Sequence, residues 1–254
     1  MDDRETISDI RVTDLTIGYG KRVLMEKLNF EVRRGEIFFI MGGSGCGKST
    51  LLKHLIGLLE PISGDILIYD KSIVNATEDD KLALMRHFGV TYQGGALFGS
   101  LTVAENVAMP LEEYSGLSRA EIAAEVEKKL ELVGLKGFGR YMPSELSGGM
   151  CKRAGLARAL ALDPKLLFFD EPSAGLDPIS SAAQDRLIRE LRDKLGTTVV
   201  IISHDLDSVF SIADRIIMLD KAARGIIARG DPRELVKSAE NLEVRRFLNR
   251  DGMK

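Results

Sequence analysis

The chain has 254 residues, 44% of them apolar, enough to bury a sizeable core in one large domain or two small ones. Its 35 basic and 38 acidic residues leave a net charge of −3, which provides no basic field for sequence-independent binding of nucleic acid. Runs such as Ile37 to Met41 and Leu166 to Phe169 fall far short of the roughly 20 apolar residues that cross a bilayer. The acidic start Met1-Asp2-Asp3-Arg4-Glu5 has no signal-peptide stretch, and the two cysteines, Cys46 and Cys151, speak against a disulfide framework and for a reducing cytosol.

From Ile10 to Val32, apolar and polar residues alternate in short runs, which predicts antiparallel strands with turns at Gly18-Tyr19-Gly20 and Arg34-Gly35. Ile37 to Met41 is continuously apolar, as in a strand buried on both faces. Gly42-Gly43-Ser44-Gly45-Cys46-Gly47-Lys48-Ser49 follows, a P-loop pattern with Thr50 next, and opens a helix predicted from Lys48 to about Leu59 and ended by Pro61. Its glycines let backbone N–H groups converge on phosphate oxygens with no Cβ in the way, and the helix start adds partial positive charge. Lys48 can neutralise the β- and γ-phosphates of ATP, and the Ser49 hydroxyl is placed for Mg²⁺. Cys46 is read as a spacer. A P-loop alone is shared by kinases, GTPases and helicases.

The middle, about Thr102 to Ala161, is helix-rich. Ser118-Arg119-Ala120-Glu121 is a capping box; Ile122, Val126, Leu130 and Val133 then share one helix face, and Gly134 suits the end. Leu146-Ser147-Gly148-Gly149-Met150 opens a helix to about Ala161. Taken alone it is as readily a glycine turn as an anion cradle made of a hydroxyl, free amides and the helix dipole. As a cradle it leaves one chain with two phosphate sites and one P-loop. A head-to-tail pair resolves this, each ATP lying between the P-loop of one copy and Ser147, Gly148 and Gly149 of the other.

Leu166 to Phe169 reads as a buried strand ending in Asp170 and Glu171. Ligands of open α/β sheets bind beyond such strand ends. Asp170 would face Mg²⁺ through a water, and Glu171 would polarise the attacking water as general base. Ser180 to Leu195 is helical, and the strand Val199 to Ile202 ends in Ser203-His204-Asp205. Alone, His204 would be a surface or cap residue; with the other strand-end motifs it lies near the γ-phosphate. A further strand is predicted at Ile216 to Leu219, and the tail from Pro232 to Lys254 as one or two amphipathic helices. The expected fold is α/β, a P-loop NTPase (RecA-like) core with an N-terminal antiparallel β subdomain and a helical insert. The expected division is a single domain over 1–254, with β subdomain and core at about 8–95 and 162–230, insert at about 96–161 and tail at about 231–254.

Over about residues 10 to 230 the chain resembles the nucleotide-binding subunits of ABC transporters. Gly42 to Ser49 resembles their Walker A, Leu166 to Glu171 their Walker B with its catalytic glutamate, and His204 their switch histidine. Gln93 in Val90-Thr91-Tyr92-Gln93 resembles the Q-loop glutamine, which implies a contact with Mg²⁺ or the attacking water and coupling to a permease. Ser173-Ala174-Gly175-Leu176-Asp177 resembles the D-loop, which places Asp177 by the nucleotide, and Tyr19 resembles the aromatic that stacks on adenine. Met150 stands where the signature usually has Gln. The resemblance implies ATP with Mg²⁺, a second copy and an integral-membrane permease.

Gln93 to Val107, with its Gly94-Gly95-Ala96-Leu97-Phe98 run, is similar to bacterial ATPases paired with mammalian-cell-entry domain proteins, which move phospholipid between inner and outer membranes. Gly149-Met150-Cys151-Lys152-Arg153 and the ending Val244 to Arg250 share that likeness, while the D-loop departs from some members. This implies a periplasmic mammalian-cell-entry lipid-binding protein, a STAS-domain regulator in many cases, and a peripheral place on the cytoplasmic side of the bacterial inner membrane. Another cargo, an amino acid or a lipoprotein, is the alternative. Leu97, Phe98, Val103, Val107 and Met109 are expected as exposed apolars where a permease helix docks, or else as core of the insert. The tail is expected to clasp the second copy or a regulator, or to be a solvated helix.

Overall fold

The structure, a computed structural model, describes residues 7–249 apart from Lys21 and Ala239. In chain order its elements are β1 (Ser8–Tyr19), β2 (Arg22–Arg33), β3 (Ile37–Gly42), α1 (Lys48–Leu55), β4 (Ser63–Ile68), β5 (Lys71–Ser72) and α2 (Glu78–Met85). Then come β6 (Phe88–Thr91), α3 (Val103–Tyr114), α4 (Arg119–Leu132), α5 (Gly148–Ala159), β7 (Leu166–Asp170) and α6 (Pro178–Leu195). The rest are β8 (Thr198–Ile202), α7 (Leu206–Ile212), β9 (Arg215–Asp220), β10 (Gly225–Gly230), α8 (Pro232–Ser238) and α9 (Leu242–Leu248).

Two sheets form. One is antiparallel, in the order β2-β1-β4-β5; the other runs β10-β9-β3-β8-β7-β6, parallel except for β10. β3 is central in the second sheet and buried on both faces, as its unbroken apolar run requires. Successive side chains serve different cores. Ile37, Phe39 and Met41 join α3 to α7 on one side; Phe38 and Ile40 join β1, β2 and α1 on the other. Buried polar contacts tie the sheets together: Thr198 Oγ1 donates to Asp9 Oδ2 at 2.5 Å, and Arg215 reaches Glu36 through two bonds of 2.8 Å.

The α/β core, the antiparallel sheet and the helices from Val103 to Ala159 match the expected fold class. Two details differ and a third is settled. Helix α1 ends at Leu55, short of Leu59, because Gly57 takes φ +74° and its N–H closes the last turn on the His54 carbonyl. Val103 and Val107, which the sequence left open between docking surface and core of the insert, are fully buried under α4 and α5, so only Phe98 and Met109 of that run are well exposed. Their helix starts at a capping box, Thr102 with Glu105, that sets the face turned inward. Helix α6 starts at Pro178, capped by the Asp177 carboxylate, two residues before the predicted start. The tail forms α8 and α9, with Val244 and Leu248 of α9 buried in the main core; residues 250–254 lie outside the described part.

Candidate active site

The loop between β3 and α1 holds its shape because three of its glycines, Gly42, Gly45 and Gly47, take positive φ of 148°, 71° and 105°. At Gly42 a Cβ would also stand 2.5 Å from the Leu219 carbonyl oxygen. Cys46 points into the core, where burial pushes its thiol pKa up, consistent with a spacer. The Lys48 ammonium turns back over the loop and donates to the carbonyls of Gly42 at 2.9 Å and Gly43 at 3.2 Å.

The ends of β7 and β8 face this loop. Ser49 Oγ lies 3.4 Å from Asp170 Oδ1, joining α1 to β7. Burial raises the Asp170 pKa, and the neighbouring Glu171 raises it further, against the Ser49 bond and the pull of Lys53 and Lys48. Glu171 sits just past the strand with φ +50°, a conformation rare for a residue with a side chain. Its amide donates to the Ile202 carbonyl at 2.8 Å, which locks the turn onto β8. Oε1 of Glu171 meets His204 Nδ1 at 2.9 Å, and Ser203 Oγ donates to Oε2 at 3.4 Å. The Glu171 side chain is 14% exposed and that of His204 62%, so the carboxylate is sheltered while the imidazole faces solvent.

A cavity of about 580 Å³ gathers most of the predicted residues: Gly42, Gly43, Ser44, Gly45, Gly47, Lys48, Ser49, Thr50, Gln93, Glu171 and His204. Asp170 reaches it through Ser49. Tyr19 stands apart on the rim, 51% exposed, with its hydroxyl 3.2 Å from Thr50 Oγ1. Ser147, Gly148, Gly149 and Asp177 are not in this cavity. They line a separate one of about 870 Å³, together with Arg153 and Gln184. There Ser147 caps α5 by accepting from the Met150 amide at 3.3 Å. The Asp177 carboxylate accepts from the Ile179 and Ser180 amides, both at 3.0 Å.

The family model for ABC transporters matches residues 25–174, more than half of the chain. This chain belongs to the ABC transporter family. As such it is an ATP-binding subunit and an ATPase. It is 43% identical over 239 residues, covering 94% of the chain and 89% of the relative, to the intermembrane phospholipid transport system ATP-binding protein MlaF of Haemophilus influenzae. It is 40% identical over 240 residues, 94% of the chain and 68% of the relative, to the probable ribonucleotide transport ATP-binding protein mkl of Mycobacterium leprae. Among solved structures, the dimeric ATP-binding cassette MJ0796 in a post-hydrolysis state with ADP and Pi superposes at a TM-score of 0.79, with 29% identity over 87% of this chain and 98% of that one.

His204 lies beyond the segment that the ABC family model matches, so its place beside Glu171 comes from the fold. Ser49, Asp170 and Gln93 offer only oxygen donors, a set that suits Mg²⁺, which is held by one or two carboxylates together with substrate phosphates and water. Sequence reasoning did not place Leu24, Ala174 and Phe247 beside Lys48 and Glu171, yet each lines their cavity. Leu24 carries no motif. The amphipathic pattern of the tail was the one available sign for Phe247.

Proposed function

We propose that this ABC ATPase works as a head-to-tail pair that drives phospholipid transport between the inner and outer membranes. The observation that carries the pairing is the separation of the two phosphate cradles. Lys48 and Glu171 share one cavity, whereas Ser147 to Gly149 open on another and have no P-loop of their own. Each ATP then bridges two chains, and hydrolysis removes the bridge. The dimeric form of the related cassette MJ0796 supports this reading.

In the pair, Lys48 and the loop amides bind the phosphates, Glu171 takes the proton of the attacking water, and His204 holds the carboxylate in line. Tyr19 offers its exposed ring to the adenine. Ser147, Gly148 and Gly149 receive the γ-phosphate of the second copy's ATP, with Asp177 at the same seam. Ser49, Gln93 and Asp170 would hold Mg²⁺, which supplies charge neutralisation on the phosphates. Residues of about 96–161 act as one helical unit, and Phe98 and Met109 mark where it meets a permease. The second copy, a permease and a mammalian-cell-entry lipid-binding protein are the partners that fit, with a STAS-domain regulator as a further one. No helix among the described residues is long and apolar enough to cross a membrane, so attachment to the inner membrane runs through the permease.

The test of pairing is Ser147→Arg. The variant should keep the ATP affinity of its own chain and lose both hydrolysis and ATP-driven pairing; a weakened ATP affinity in the isolated chain would place Ser147 in its own site and sink the model. The test of cargo is purification of the complex from the native membrane. A permease together with a mammalian-cell-entry protein carrying bound phospholipid is expected. The likeness to the mycobacterial protein named for ribonucleotide transport gives a second reading. A permease with no such partner, whose ATPase responds to ribonucleotides, would favour it.

A further inference from the structure

Lys152 lies in α5, one turn beyond Gly148, and is 9% exposed. Its ammonium donates to the Pro172 carbonyl at 2.8 Å and to the Ala174 carbonyl. These two carbonyls belong to the turn that follows Glu171. A buried ammonium costs several kcal/mol unless its hydrogen bonds are met. A neutral side chain would fill this space at lower cost, so packing alone does not account for a lysine here. Burial pushes its pKa down, and the nearby Glu171 carboxylate opposes that shift.

Three further contacts show what α5 connects. At its start a Cβ on Gly149 would stand 3.7 Å from Leu176 in the same turn region. Toward its end, a Cβ on Gly155 would meet the Gly95 carbonyl oxygen at 2.6 Å, and Arg158 donates to the carbonyls of Ala96 at 2.8 Å and Gly95 at 3.2 Å. The turn itself is held on its other side, where the Ser173 hydroxyl bonds to Asp205, next to His204. One helix therefore touches the Ser147 cradle, the turn behind Glu171 and the loop of Gln93.

We propose that Lys152 is a positioning residue that transmits engagement of the Ser147–Gly149 cradle to Glu171 of its own chain, through the carbonyls of Pro172 and Ala174. The inference rests on the head-to-tail pairing proposed above. When the cradle closes on the ATP of the second copy, α5 shifts, and Lys152 draws the turn with it. That sets the carboxylate of Glu171 for the ATP of its own P-loop. The two sites of the pair then fire together.

The test uses the full chain with ATP, in wild type and in Lys152→Gln, Lys152→Met and Lys152→Arg. Wild-type hydrolysis should be cooperative in ATP. Lys152→Gln should lower kcat about tenfold or more, since small misplacements of a catalytic group have that effect. It should also bring the Hill coefficient down to unity while leaving ATP binding by the isolated chain unchanged. Lys152→Met fills the same space with an unbranched side chain and should behave alike. Lys152→Arg keeps the charge and should restore cooperativity. A Lys152→Gln or Lys152→Met chain that remains cooperative overturns the inference, whatever its kcat. A non-cooperative wild type does so as well. If neither neutral variant folds, Lys152 is structural and the inference falls. Normal pairing in the Ser147→Arg experiment's wild-type control, with cooperativity retained in Lys152→Gln, removes this inference alone and leaves the pairing intact.

Discussion

Nδ1 of His204 lies 2.9 Å from Oε1 of Glu171, a contact between residues that leave neighbouring strands, β8 and β7. The pair gives the carboxylate a fixed direction in a sheltered corner of the cavity, as a general base requires. Glu171→Gln should bind ATP normally, stop turnover and accumulate the closed pair. His204→Ala should keep ATP affinity and lose about a hundredfold in kcat, in the range typical of general-base chemistry. Steady-state hydrolysis with a parallel binding titration reads both; a Glu171→Gln chain that turns over at the wild-type rate would remove the base from Glu171.

Lys48 already satisfies its charge on the Gly42 and Gly43 carbonyls, so its approach to phosphate exchanges one set of partners for a stronger one. Lys48→Ala should weaken ATP binding by about 2 kcal/mol, some thirtyfold in Kd. Equilibrium titration with the isolated chain measures this. Unchanged affinity would mean that the loop amides do the binding alone.

A Cβ on Gly155 would meet the Gly95 carbonyl oxygen, and one on Gly95 the Cys151 carbonyl oxygen, each at 2.6 Å, so neither tolerates a side chain without movement. Gly155→Ala should lose about 1–3 kcal/mol of stability as an overpacked contact. Gly94→Ala, where nothing lies within 4 Å of the added carbon, should stay within about 0.5 kcal/mol of the parent. Denaturant midpoints of the two variants, compared side by side, decide it.

Asp185 of α6 is buried, and its surroundings raise its pKa from 3.8 to about 6. Desolvation is the main cause; Asp205 adds to it, while the Ser208 bond and then Arg189 and Arg186 pull the other way. The folded chain holds this proton more tightly than the unfolded chain does. Its contribution to stability is therefore complete below pH 3.8 and is lost as the pH climbs to about 6. Asp185→Asn should leave stability near the parent's at the acid end and exceed it at pH 8 by about 3 kcal/mol. Melting curves at the two pH values show this as a gap that widens with pH; a constant gap would refute it.

What was legible in the sequence were the parts whose chemistry is written in contiguous residues. Gly42 to Ser49, and the acids that follow Leu166 to Phe169, could be read because each run carries its own strand, loop and cap. The capping box of Ser118 and Glu121 appears as read. Less legible were features that depend on distant partners. Gly57 ended α1 early because its backbone takes a left-handed turn, a choice that the Pro61 signal obscured. Val103 and Val107 could be read as docking surface or as core, because their helix face is set by contact with α4 and α5. The reach of Lys152 to Pro172 spans 20 residues and has no local signature.

β3 carries the P-loop at its end, yet its neighbours in the sheet are β8 and β9, roughly 160 or more residues later in the chain. During synthesis this strand has neither sheet neighbour until β8 has been made, and it gains the second only when β9 follows, ending at Asp220. The cradle for phosphate is thus among the first sequences made and among the last to be fixed. A chain interrupted before β8 carries every residue of the P-loop but neither of the strands that flank β3, and until then the apolar run Ile37 to Met41 has no sheet neighbour to bury it, a liability for misassembly.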